Sequence, residues 1–122
     1  MQLSENYDDL KRRLEGLGYS SPELDSRLRN GLLSAREAFI AYHEETVGNL
    51  KLECWFNFEA NEAGGRHELL YYEATLRVLA NIDLQAAGFT WRSFDKDVPK
   101  SRATEVLLKT MLTLRRDDDP TL

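Results

Sequence analysis

"KLECWFNFEA", residues 51–60, is the stretch whose reading decides the fold class. Its even positions are Leu52, Cys54, Phe56 and Phe58; its odd positions are Lys51, Glu53, Trp55, Asn57 and Glu59. That alternation is the period of a β-strand with one buried face, because successive side chains leave a pleated strand on opposite sides. Trp55 breaks the pattern by standing among the charges. A tryptophan there is a cross-strand partner on a solvated face, opposite Tyr71 or another odd-position residue, or an anchor for another molecule.

A strand needs a partner. "NEAGGRH", 61–67, puts Gly64-Gly65 where a hairpin turn belongs. "ELLYYEATLRVL", 68–79, places Leu70, Tyr72, Ala74, Leu76 and Val78 on one face if it is a strand, or aligns Leu69, Tyr72, Leu76 and Leu79 if it is a helix. The need to pair with 51–60 favours the strand, and hence a hairpin over about 50–79. "FTWRSF", 89–94, reads as a third strand, after which Pro99 breaks the chain.

The flanks read as helices. In "SENYDDLKRRLEGLG", 4–18, Ser4 is a cap, Tyr7, Leu10, Leu14 and Leu17 form one stripe, and Gly16 and Gly18 stop the helix. In "SSPELDSRLRNG", 20–31, Ser21 caps, Pro22 fills the first position, Leu24 and Leu28 face inward, and Asn30-Gly31 ends the element. The two are expected to pair as a helical hairpin. "SAREAFIAYHEETVG", 34–48, carries a Ser34/Glu37 capping box but also alternates Phe39, Ala41 and His43; local propensity favours helix. "SRATEVLLKTMLTLRR", 101–116, is a final helix capped by Ser101, with Ala103, Leu107, Leu108, Met111 and Leu112 inward and Arg115-Arg116 at its negative end. The expected fold is α+β: an N-terminal helical hairpin, a small antiparallel sheet, and a C-terminal helix packed on one sheet face, the other face being open. One domain spans 1–116, followed by an acidic flexible tail, 117–122.

The length, 122 residues, suits a single core. No apolar run approaches the roughly 20 residues that span a bilayer, and the N-terminus shows no signal pattern, so the chain reads as cytoplasmic. Cys54 is the only cysteine; it reads as a small buried hydrophobe, and neither an internal disulfide nor a cysteine zinc site is available. The net charge of −5 owes part to Asp117–Asp119 and gives no general attraction for nucleic acid.

The run "REAFIAYHEE", "LKLECWFNFEA", "LLYYEATLR", "FTWRSF" and a terminal helix opening "SRATEVLL" resembles a group of small uncharacterised bacterial proteins often carried on conjugative or other mobile elements. The shared features are an aromatic-rich strand, a hairpin and the segment Tyr72-Glu73-Ala74-Thr75-Leu76, and the resemblance covers roughly residues 35–115. It implies a strand over 37–44 and no particular activity.

Nothing in the motifs points to catalysis, a cofactor or a metal. His43 in "HEE" and His67 in "HE" are each half of a metal or acid–base pair, without metal-ligand spacing. No G-x-S-x-G or phosphate-binding loop is present. The expected function is that of a non-catalytic interaction protein, accessory or inhibitory, docking a protein partner through the open sheet face or the helical hairpin. Trp55, Tyr71, Trp91 and Arg92 are the candidate contacts. The alternative is a nucleic-acid accessory factor of a mobile element using Lys11, Arg12, Arg13, Arg27 and Arg29. A third option is a metal-dependent enzyme using His43 and His67. Self-association is compatible with the first reading, since strand 89–94 is a candidate edge.

Overall fold

The structure is a computed structural model and describes residues 3–34, 36–62, 65–79 and 89–117. Among these residues the order is α1 (Leu3–Leu17), α2 (Pro22–Leu33), β1 (Ala38–Val47), β2 (Leu50–Ala60), β3 (His67–Val78), β4 (Phe89–Asp95) and α3 (Lys100–Asp117). The strands form one antiparallel meander in the order β1-β2-β3-β4. The helices cover one of its faces. Leu10, Leu14 and Leu17 of α1, Leu24, Leu28 and Leu32 of α2, and Ala103, Leu107 and Met111 of α3 join Leu52, Cys54, Phe56 and Phe58 of β2 in a single core. This is the α+β architecture that the alternation in 51–60 predicts.

Local chemistry accounts for most boundaries. α1 ends at Gly18, whose φ of +102° suits glycine. Ser21 Oγ accepts from the Leu24 N–H at 3.0 Å, and Pro22 opens α2. Asn6, buried on α1, clamps the start of β3: its Nδ2 donates to the His67 carbonyl at 3.0 Å and its Oδ1 accepts from the His67 N–H at 2.9 Å.

The structure corrects several expectations. Residues 38–47 form strand β1, not a helix, although their local propensity is helical. Pairing along all of β1 with β2, together with burial of Ala41 and His43, outweighs that preference. α2 does not stop at Asn30-Gly31 but runs to Leu33. Gly31 marks a close approach: a Cβ there would lie 2.2 Å from the Phe39 ring. A register shift at Asn57/Phe58 gives β3 one extra residue, so Leu69 is buried and Leu70 exposed, while Tyr72, Ala74 and Leu76 keep the inward face. α3 begins at Lys100, with the Pro99 carbonyl accepting from the Ala103 N–H, so Ser101 lies within its first turn instead of capping it; Ser4 likewise lies inside α1. On α3, Leu108 and Leu112 face solvent. Asp117 closes α3 instead of opening the tail. Gly64, the side chains of Arg115 and Arg116, and the tail 118–122 lie outside the described residues. No helix among the described residues is long and apolar enough to cross a membrane.

The two helical glycines differ in a measurable way. Gly31→Ala is expected to destabilise by about 1–3 kcal/mol through overpacking against Phe39. Gly16→Ala, with nothing within 4 Å of the new methyl, should stabilise by up to about 1 kcal/mol. Urea unfolding of both variants checks this, and equal effects at the two positions would refute the close-approach account.

Candidate functional site

With the helices on one side, the even positions of β1 and the odd positions of β2, of β3 beyond the extra residue, and of β4 point the other way. No element among the described residues covers this face. Trp55 stands opposite Tyr42 on β1 and Glu73 on β3. Its ring meets Tyr42 at 5.3 Å, so the aromatic pair forms with β1; Tyr71 is instead opposite Asn57 and Asp95. Trp91 lies opposite Thr75. Ile40 and Trp91 are 60% and 58% exposed, and Leu70, Tyr71 and Phe89 are exposed as well. The extra residue in β3 sets Leu70 and Tyr71 side by side, and they help line a recess of about 420 Å³ with Ile40 and Asn57.

Charge on this face is one-sided. Within the strands it carries Glu44, Glu53, Glu59, Glu68, Glu73 and Asp95 against Lys51 and Arg77, which is 2 − 6 = −4. Lys51 pairs with Glu44 at 3.1 Å and Arg77 with Glu53. Tyr42 Oη is 2.7 Å from an oxygen of each of these carboxylates, and its one proton serves one of them at a time. Hydrogen bonding by Tyr42 and Lys51 holds Glu44 below the usual carboxylate range. Burial pushes Glu53 up, but Arg77 and Tyr42 outweigh it and hold Glu53 low as well. Partial burial and the two carboxylates push the Tyr42 phenol upward.

Arg92 does not join Trp55, Tyr71 and Trp91. It shares the strand parity of Thr90 and Phe94, which are buried against the helices, so it lies on the helix side at the β4 edge. The five cations of the nucleic-acid alternative are engaged within the molecule. Lys11 pairs with Asp25 at 3.6 Å, Arg12 with Asp9 at 3.2 Å, and Arg13 with Asp97. Arg27 donates to the Tyr42 carbonyl at 2.9 Å, and Arg29 lies 4.9 Å over the Tyr7 ring.

The histidines are not brought together. His43 is level with Cys54 and Ala74, whereas His67 lies seven residues from Ala74 along β3, roughly 20 Å away. Ser21, His43, Glu45 and Lys100 form a chain: His43 Nδ1 is 3.4 Å from Ser21 Oγ, Nε2 is 2.8 Å from Glu45, and Lys100 reaches Glu45 at 2.8 Å. These are the residue types of a nucleophile, base and acid. Yet Ser21 Oγ is committed to capping α2, and His43 is 2% exposed. The chain ties α2, β1 and α3 together. Partial burial pushes Glu45 up, and Lys100 and His43 together hold it below the usual range. His67 Nε2 meets the Arg36 carbonyl at 2.7 Å, and its Nδ1 has no partner among the described residues. No group of three or more metal-ligating side chains occurs among the described residues. Comparison with known proteins adds nothing further: no family model, curated protein or solved structure matches the chain.

Sequence reasoning missed Ile40, Leu70, Glu73 and Phe89 on this face. Ile40 was hidden by the helical reading of 34–48, and Leu70 by the extra residue in β3. Glu73 and Phe89 share parity with Tyr71 and Trp91, a signal already in the alternation.

Cys54 gives a pH prediction. An unfolded thiol ionises near about 8.5, whereas burial pushes the folded Cys54 thiol up to about 12. Between the two the unfolded chain binds fewer protons, so stability falls as pH rises. From pH 8.5 to 10 the expected loss is about 2 kcal/mol. Cys54→Ala should flatten that part of the curve, as followed by urea unfolding; an unchanged slope would remove Cys54 as its cause.

Proposed function

We propose that this chain is a non-catalytic interaction protein that docks a protein partner on its open sheet face. The observation that carries the reading is the exposure of Ile40 and Tyr71 on one side of the Trp55 row and of Trp91 on the other, on a sheet surface bare among the described residues. Large apolar and aromatic side chains exposed on one face are the usual composition of an interface centre. The recess beside Leu70 and Tyr71 supplies relief for a partner side chain. Two facts weigh against nucleic acid as the partner: the face carries a charge of −4, which repels phosphate, and the cations of α1 and α2 already have partners.

Trp91 is mostly solvated, so Trp91→Ala should change stability by less than about 0.5 kcal/mol. Trp55 packs on Tyr42, and Trp55→Ala should cost about 1 kcal/mol. Affinity capture from host lysate with nuclease present is expected to recover a protein with the wild-type chain and to lose most of it with either variant. Recovery at wild-type levels with both variants would place the docking surface elsewhere; recovery that vanishes with nuclease would make nucleic acid the partner.

A further inference from the structure

Resting on that docking reading, we infer that the partner presents a lysine or arginine, within a basic amphipathic segment, to Glu73. Glu73 is the central charge of the face. Trp55 is directly opposite it on β2, Ser93 on β4, and Tyr71 is two residues before it on the same side of β3. Trp91, opposite Thr75, is its diagonal neighbour. Glu73 is half-buried among these rings, and no hydrogen bond or ion pair engages it among the described residues. A carboxylate in that setting has lost part of its water and gained no partner, which costs free energy until a cation arrives. A lysine or arginine head can pair with the carboxylate while lying against Trp55 or Trp91, and its aliphatic stem covers the aromatic surface.

The wider face selects the same chemistry. Lys51 and Arg77 are already spent on Glu44 and Glu53. Glu59 and Glu68 stand directly opposite one another with no cation between them among the described residues, an arrangement that destabilises a sheet. A basic partner relieves all of these charges at once. A second copy does the reverse, because two faces of −4 would be brought together. Apolar Ile40, Leu70, Tyr71 and Trp91 supply contact area for the segment's apolar side.

The test is tryptophan fluorescence titration of the intact chain with three probes: an amphipathic Leu/Lys peptide, its Leu/Glu counterpart, and a single-stranded oligonucleotide. The Leu/Lys peptide alone is expected to bind. Glu73→Gln should weaken it about tenfold or more, and Trp91→Ala should weaken it as well. Glu15→Gln, which removes the same charge from the exposed side of α1, should change binding by less than about twofold. Equal losses in Glu73→Gln and Glu15→Gln would reduce the effect to general acidity and overturn the Glu73 receptor, while leaving the docking face intact if Trp91→Ala still weakens binding. Loss in neither Trp91→Ala nor Glu73→Gln would remove the face itself. Binding of the oligonucleotide or the Leu/Glu peptide in place of the Leu/Lys peptide overturns the inference. So does a dimer in sedimentation velocity, without peptide, that Trp91→Ala abolishes, since it makes a second copy the occupant.

Discussion

The Tyr72 hydroxyl holds the two ends of the chain to the same side of the sheet. It accepts from the Tyr19 hydroxyl at 3.2 Å and donates to the Val98 carbonyl at 2.5 Å. Tyr19 belongs to the turn between α1 and α2, and Val98 to the turn before α3, so both helical connections converge on one residue of β3. The Tyr19 ring packs edge-on against Phe56, Tyr72 and His43 at 4.9, 5.5 and 5.8 Å. Both tyrosines are fully buried, and buried hydroxyls are tolerated only when hydrogen-bonded. Burial pushes the Tyr72 phenol to about 12 and Tyr19 higher still, so both stay protonated donors. Among the described residues, all three helices are drawn to one side, which leaves none for the other.

A bare antiparallel face is ordinary when it is polar. This one is not optimised for its own stability. Glu44 opposes Glu53, and Glu59 opposes Glu68. The first pair is moderated by Lys51, Arg77 and the shared Tyr42 proton; the second has no such help among the described residues. Departures from local rules of this kind concentrate at functional surfaces. In the proposed docking, the same charges that oppose a face-to-face dimer would provide the selectivity that exposed aromatics lack, because apolar contact alone does not discriminate among partners.

The fold class was legible because 51–60 alternates cleanly and because the helical stripes of α1 and α3 repeat at 3.6 residues. Trp55, Tyr71 and Trp91 could be assigned to one face by parity alone. What was not legible depends on contacts distant in sequence. Residues 38–47 carry helical propensity, and only pairing with β2 makes them a strand. Gly31 looks like a stop signal, because the Phe39 ring that fills its missing side chain cannot be read from residues 20–31. The extra residue in β3 reverses the side on which Leu69 and Leu70 fall without any glycine or proline to announce it. Arg92 follows Trp91 in sequence, and that adjacency is what separates them, since neighbouring residues on a strand face opposite ways.

If the face docks a partner as proposed, the edges of the sheet narrow the ways it can approach. Arg27 of α2 reaches over the outer side of β1, donating to the Tyr42 carbonyl while lying 5.4 Å from the Tyr42 ring. An added strand would need that carbonyl, so the middle of the β1 edge is already occupied. Arg27 therefore protects that part of the edge. The β4 edge has no equivalent guard among the described residues, and its outward side chains Phe89 and Trp91 lie where that edge meets the bare face. A partner that seats a cation at Glu73 and spreads toward β4 meets Trp91 first, whereas one approaching from β1 meets the Arg27 guanidinium, which repels it. Under the proposed docking, the polarity of the surface sets a direction, from the β4 side inward to Trp55.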